Sequence, residues 1–308
     1  MGTIGVDAYS HVIIETAELA AARKFYGDVL GVDCRPDAGW SGAGEAWVLP
    51  SGQFVVAVET ASPRAFAETA AHVAYRAAPA AIDAIVARAG KAGVAVHRYA
   101  EDRPDEVKDN CYLADPDGNR IQLVAGDGPA SGIGGIDHAA ALCSDIEWED
   151  DYWVEGLGVR AVHRVGWATQ DFIRARAWGE GEEDMAPGTR RWDQRYRDIP
   201  GGKPGQGRKV ARPNPQLFLD LGGDGRGPVL AYFLSQSHVQ EPPPEAVQGT
   251  PRLALTVGDG AIDEIAAALS RSGARVEGPV VHGRGSALAR SVYLRDRCGV
   301  FIEFCSRS

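Results

Sequence analysis

The sequence has no apolar run long enough to cross a bilayer, which takes about 20 consecutive apolar residues in a helix. It also lacks an excess of basic side chains: 32 Lys and Arg stand against 42 Asp and Glu, a net charge of -10. That balance argues against a nucleic-acid or anionic-membrane partner, because neutralising phosphates needs a basic face. Cysteine is sparse and scattered at Cys34, Cys111, Cys143, Cys298 and Cys305, without CxxC spacing. An odd, dispersed set of this kind excludes a disulfide framework and reads as reduced, buried thiols. The Gly-rich stretches "GAGE" and "GIGG" have no GK[ST] ending, so neither is a phosphate loop. No basic start followed by an apolar core opens the chain, so no secretory leader is expected. The 308 residues suffice for two domains with substantial cores. The expectation is a cytoplasmic two-domain protein with no nucleic-acid or membrane partner; its oligomeric state, with a homodimer as one choice, is left open.

What the sequence does have is itself, twice. "SHVIIETAELAAARKFYGDVLGVD" aligns with "DHAAALCSDIEWEDDYWVEGLGVR" at an offset of 127, placing His11 on His138. "AHVAYRAAPAAIDAIVARAG" aligns with "PRLALTVGDGAIDEIAAALSRSG" at an offset of 180, placing His72 on Arg252. "CYLADPDGNRIQLV" aligns with "VYLRDRCGVFIEFC" at an offset of 181, placing Gln122 on Glu303 and Tyr112 on Tyr293. Internal similarity on this scale marks a repeated structural unit. The stretch "GDGPASGIGG" at 126–135 reads as a linker, giving an N-terminal domain over 1–126 and a C-terminal one over 136–308. Each half divides again. A short strand rich in branched residues opens each quarter, then a helix such as "ELAAARKFYGDVL" or "AAIDAIVARAGKAG", the latter stopping at Gly90. Hairpins turned at "PSG" and "DPDG" follow. The third quarter carries an insertion of about 161–215, with a basic cluster that includes Arg190, Arg191, Arg195 and Arg197. Long loops without periodicity are commonly lids or interaction surfaces.

Four such units resemble the vicinal oxygen chelate superfamily, which includes glyoxalases, bleomycin-resistance proteins and type I extradiol dioxygenases. The residues that carry the resemblance are "SHV…FYGDVLGV", "HVAY…AIDAIVARAGKAGV" and "YLADPDGNRIQLV" with their C-terminal copies. It implies an α+β fold of four βαβββ modules paired into two open barrel-like domains, with a divalent metal inside a barrel. Fe(II) is favoured, with Mn, Zn or Ni as other choices. Carried onto this chain, the ligand positions are His11, Glu59, His72 and Gln122 in the N-terminal half, and His138, Phe233, Arg252 and Glu303 in the C-terminal half. Arginine has no lone pair to give, so the N-terminal half is the first choice. There His11, His72 and Gln122 hold metal, and Glu59 completes the shell or acts as base. His138 with Glu303 is a second, weaker metal pair, with Arg252 and Tyr293 meeting substrate. Against this stands a buried Arg252–Glu303 ion pair, and ordinary packing roles for Tyr112 and Tyr293. The implied activity is extradiol-dioxygenase-like chemistry on a small aromatic or 2-oxo substrate. The alternatives are glyoxalase- or epimerase-type isomerisation and metal-free binding of a small molecule such as an antibiotic.

Overall fold

A computed structural model describes residues 4–67, 69–98, 111–143, 145–167, 215–223, 225, 227–234, 246–296 and 298–308. The inserted residues 168–214, with their basic cluster, lie outside the described residues.

The first module runs β1 (Ala8–Thr16), α1 (Leu19–Lys24), β2 (Glu45–Val48) and β3 (Phe54–Glu59). A π-helical turn, Phe25–Val29, extends α1 and buries Phe25, Tyr26 and Val29. The second module is β4 (His72–Ala77), α2 (Pro79–Lys91), β5 (His97–Arg98), β6 (Cys111–Ala114) and β7 (Arg120–Ala125). Pro79 starts α2, where its fixed φ and missing N–H cost nothing. Ala81, Ile82, Ile85 and Ala89 form its buried stripe, each isoleucine worth about 1.5–3 kcal/mol on burial. The helix passes the expected stop at Gly90 and ends at Lys91. The chain turns instead at Gly93, whose φ of 74° suits a residue without Cβ. The third module holds β8 (Ile133–Cys143), α3 (Ile146–Asp150), β9 (Arg160–Val165), β10 (Gln216–Asp220) and β11 (Val229–Leu234). The fourth holds β12 (Arg252–Thr256), α4 (Ile262–Arg271), β13 (Arg275–Val281), β14 (Leu288–Arg295) and β15 (Phe301–Arg307).

The modules form two open sheets, ordered β13-β14-β15-β12-β1-β3-β2 and β5-β6-β7-β4-β8-β11-β10-β9. The first module therefore shares a sheet with the fourth, and the second with the third. This corrects the division at 126/136, which pairs neighbours along the chain. The physical reason is the shortness of the connection after β7. Only residues 126–132 separate β7 from β8, so the third module docks beside the second, β8 running antiparallel to β4. The first module is left to pair through β1 with β12, also antiparallel.

Strand alternation gives each sheet two unlike faces. Val12, Ile14, Val55, Ala57, Tyr75, Ala77, Ala139 and Ala141 pack with the helices into one core common to both sheets. Tyr9 and Gln53 tie the sheets together. The Tyr9 hydroxyl donates to the Val229 carbonyl at 2.7 Å and accepts from the Ala139 N–H. Gln53 donates to the Tyr9 carbonyl and accepts from the Ile136 N–H. A Cβ at Gly135 would lie 2.7 Å from the Gln53 oxygen, so a side chain there would push Gln53 and Ser51 aside. The opposite faces carry the polar residues singled out by the repeats.

Candidate functional site

In the second sheet, Ala74 of β4 is the register partner of both His138 on β8 and Gln122 on β7. Three neighbouring strands thus set an imidazole and an amide on one rung, with a methyl between them. His72 stands two residues before Ala74, on the same face. Its Nε2 lies 3.3 Å from Nε2 of His138, the rings 5.4 Å apart at 81°. The tautomers follow from the other nitrogens. His72 Nδ1 is 2.7 Å from the Ala70 carbonyl, which only accepts, so Nδ1 carries the proton. His138 Nδ1 is 2.7 Å from Asp137 Oδ2, and that bond holds the Asp137 carboxyl below its usual range. With both neutral, two lone pairs face each other across 3.3 Å. Burial and the second imidazole push the His72 pKa down to about 3, so a proton shared from His72 does not relieve the contact. Gln122 Oε1 is buried without a hydrogen-bond partner, close enough to the His72 ring to favour its protonation slightly. Tyr112 and Phe233 stand edge-on to His72, at 5.4 and 6.2 Å between ring centres.

The first sheet repeats the rung with other residues. Ala254 of β12 is the partner of His11 on β1 and of Glu303 on β15. Glu303 Oε2 lies 3.4 Å from His11 Nε2 and 3.1 Å from Arg252 Nε. Its other oxygen accepts from Ser291 at 2.7 Å, and Ser291 contacts His282 Nε2 at 2.7 Å. Burial alone would raise the Glu303 carboxyl, but His11, Arg252 and Ser291 hold it down at about 2. Burial likewise lowers the His11 pKa against the pull of Glu303. Trp40 packs edge-on over His11 at 4.9 Å and tilted against Phe54 at 5.9 Å. Together with Ile13, Ala46 and Val56 it fills this face with a small separate core.

Two sheets with equivalent rungs, each built from a pair of strand–helix–strand modules, decide the fold. This chain has the vicinal oxygen chelate fold. Residues 11–124 match the glyoxalase-like domain family. A solved structure of a putative dioxygenase from Bacillus subtilis superposes with a TM-score of 0.58 at 14% identity, covering 98% of this chain and 86% of that one. Glyoxalase I from Zea mays superposes with a TM-score of 0.56 at 12% identity, covering 97% and 92%. No curated protein matches the sequence. At these identities the likenesses establish the fold alone.

Within this vicinal oxygen chelate fold the structure regroups the expected site residues. His11 and His72 lie on different sheets, so the first-choice set of His11, His72 and Gln122 has no common centre. His72 and Gln122 join His138 instead. His11 joins Arg252 and Glu303, with Tyr293 beside them: the Arg252 guanidinium lies 4.9 Å from the Tyr293 ring centre. Glu59 is corrected more sharply. Phe54, Val56 and Val58 point to the small core, so alternation turns Glu59 to the helix side. There, exposed, it accepts from the Leu19 N–H at 3.1 Å and caps α1. Sequence reasoning misses Asp137 and Trp40. The adjacency of Asp137 to His138 is an available signal, whereas Trp40 sits in a Gly-rich loop with no period.

No group of three or more His, Cys, Asp or Glu side chains close enough to hold a metal ion is found among the described residues. The second-sheet set consists of two imidazoles and an amide. Its geometry suits a cation: two imidazole nitrogens bound tetrahedrally at about 2.0–2.1 Å stand about 3.3 Å apart. Each imidazole also donates its far N–H to a carbonyl or carboxylate, as metal-bound histidines do. The first-sheet set does not fit, because Arg252 already supplies the positive charge and has no lone pair. A cavity of about 880 Å³, walled by Val12, Ile14, Val73 and Leu253, reaches His72 and Arg252 at the starts of β4 and β12.

Proposed function

We propose that the chain is a metal-dependent vicinal-oxygen-chelate enzyme acting on a small substrate at the second-sheet centre. The observation that carries this reading is the pair of imidazoles at 72 and 138, their Nε2 atoms 3.3 Å apart and their far nitrogens anchored. His72, His138 and Gln122 would hold the ion, leaving positions open for two adjacent substrate oxygens. A bound metal would serve as Lewis acid and template for those oxygens. The Ala70 carbonyl and Asp137 fix ring orientation and tautomer. Tyr112 and Phe233 present apolar edges against which the body of a flat substrate packs. The residue expected as base, Glu59, is remote from this centre, which supports a role in holding and polarising oxygens over one that starts with proton removal by that carboxylate. Extradiol cleavage and 2-oxo-aldehyde isomerisation are the two chemistries in view.

The test is metal analysis of chain purified without chelators, then reconstituted anaerobically with Fe(II), Mn(II), Zn(II) or Ni(II). One equivalent is expected, lost in His72→Ala or His138→Ala and kept in His11→Ala. O2 uptake with catechols, against turnover of 2-oxo aldehydes, separates the two chemistries. Absence of bound metal after reconstitution would favour metal-free binding.

A further inference from the structure

Away from both rungs, the third and fourth modules meet at two buried carboxyl groups. Glu149, on α3, is fully buried, and Asp296, in the turn between β14 and β15, is 4% exposed. Trp153 of the third module shares its indole N–H between Glu149 Oε2 at 3.0 Å and the Tyr232 hydroxyl at 3.1 Å. That hydroxyl in turn donates to Asp296 Oδ2 at 2.5 Å. Tyr232 belongs to β11 in the second sheet, whereas β14 and β15 lie in the first, so these bonds tie one sheet to the other. From the turn, the Cys298 N–H reaches Glu149 Oε1 at 3.1 Å and the Val300 N–H reaches Asp296 Oδ1 at 2.7 Å. The other titratable groups around the pair are Tyr232, Cys143, Cys298 and Asp145. Among the described residues, no Lys, Arg or His side chain pairs with either carboxyl.

Two neighbouring charges buried without a cation are costly, so the site keeps a proton. The donors decide where. Asp296 accepts from the Tyr232 hydroxyl and the Val300 N–H, with further backbone bonds from Cys298 and Gly299. Glu149 shares both of its donors with neighbours. Hydrogen bonds to a carboxylate favour its charged form, which leaves the charge on Asp296 and the proton on Glu149. The first half of the chain lacks this pairing: the repeats set Asp115 at the place of Asp296 but Ala22 at that of Glu149. We propose that Glu149 and Asp296 hold a single proton between them and act as a pH-sensitive latch joining the third module to the fourth. Losing that proton sets two like charges in one buried site and loosens the junction. Burial raises both carboxyls, Asp296 to about 6, and the Asp296 charge raises Glu149 further. The folded chain therefore keeps protons that the unfolded chain releases, and stability falls as pH rises from about 4. Above the Asp296 value, Glu149 continues the fall.

Infrared spectroscopy of the full chain reads the proton, through the C=O stretch of a carboxylic acid at neutral pH. Urea denaturation across neutral to mildly alkaline pH reads the latch. The acid band is expected in the parent, absent in Glu149→Gln, and present in Asp296→Asn, where it should titrate away at lower pH because the neighbouring charge is gone. The unfolding constant of the parent, divided by that of Glu149→Gln, should rise by up to about tenfold per pH unit, the slope of one proton. A parent without the acid band at neutral pH, or a ratio that does not change with pH, would overturn the latch. A band that persists in Glu149→Gln would overturn the placement of the proton. If Glu149→Gln does not fold, Asp296→Asn still decides, since an acid band titrating as in the parent would show that the two carboxyls do not share a proton.

Discussion

The two sheets use the same rungs for opposite ends. His11 and His138 are equivalent, as are Glu303 and Gln122, and Arg252 and His72 open equivalent strands. In the first sheet the rung is held by charge, with His11 Nε2 and Arg252 Nε both within 3.4 Å of Glu303 Oε2. A carboxylate is neutralised by a guanidinium and bridged to a hydroxyl, His11 is fully buried, and Trp40 lies over it. In the second sheet an amide, Gln122, takes the carboxylate's place, its Oε1 lacks a hydrogen-bond partner, and the His138 side chain keeps 20% of its surface open. Two substitutions separate the rungs, Arg252 against His72 and Glu303 against Gln122. An arginine brings a permanent cation into the place where a histidine offers a lone pair. The difference teaches that a duplicated fold can keep the same rung in both copies and close one of them with an ion pair inside the fourth module, to which His11 of the first module is joined.

The first way to break that comparison is to remove the arginine. Arg252→Ala leaves Glu303 buried at 2% side-chain exposure without its cation, and breaking a buried pair on one side costs about 3–5 kcal/mol. Urea denaturation should show that loss. Arg252→Met combined with Glu303→Gln removes both charges and should recover most of the stability, as apolar replacements of buried pairs commonly do. If Arg252→Ala costs less than about 1 kcal/mol, the first sheet is not held by this pair and the contrast between the sheets weakens.

Half of this comparison is legible in the repeats alone. Aligning the chain with itself places His11 on His138, His72 on Arg252 and Gln122 on Glu303, and all three equivalences hold in the strand registers. What self-similarity cannot give is partnership. Equivalent residues share a position in their modules, but which modules hydrogen-bond depends on the length of the connections between them. The short connection after β7 sets that choice and draws β8 onto β4. Glu59 is misplaced by the repeats for a smaller reason. Matching "FVVAVET" with "PVLAYFL" sets Glu59 on Phe233, whereas the registers of His11 with Phe54 and His138 with Val229 set Val58 there, and a shift of one residue along a strand reverses the face. Trp40 is out of reach of any repeat, because its covering of His11 depends on a loop closed by contacts far along the chain, such as Ser41 to Ser286.

A second prediction sharpens the comparison through pH. Glu303 is held at about 2 in the folded chain, against about 4.3 for an unperturbed glutamate. A depressed carboxyl contributes stability that is present above the unfolded value and is lost as pH falls through the folded one. The window is therefore from about pH 4.5 down to about pH 2, and the contribution is about 3 kcal/mol at its full extent. Glu303→Gln should flatten that part of the stability profile. Gln122→Ala in the second sheet should leave it unchanged, since no ionised carboxylate occupies that rung.

The smallest expected effect concerns the residue that changed roles. If Glu59 is a helix cap and no part of either centre, Glu59→Ala should cost only the hydrogen bond to the Leu19 N–H and the favourable charge at the start of α1. Exposed caps of this kind are worth about 0.5–1 kcal/mol. Thermal unfolding should register that loss, while metal content and turnover remain those of the parent chain. Glu59→Gln, which keeps an acceptor oxygen but not the charge, should recover part of it. A variant that unfolds normally but loses metal would return Glu59 to the centre and require β3 to present its other face. The packing of Phe54 and Val56 into the small core beneath Trp40 makes that rearrangement expensive, because turning β3 over would expose both side chains together with their partner Ile13.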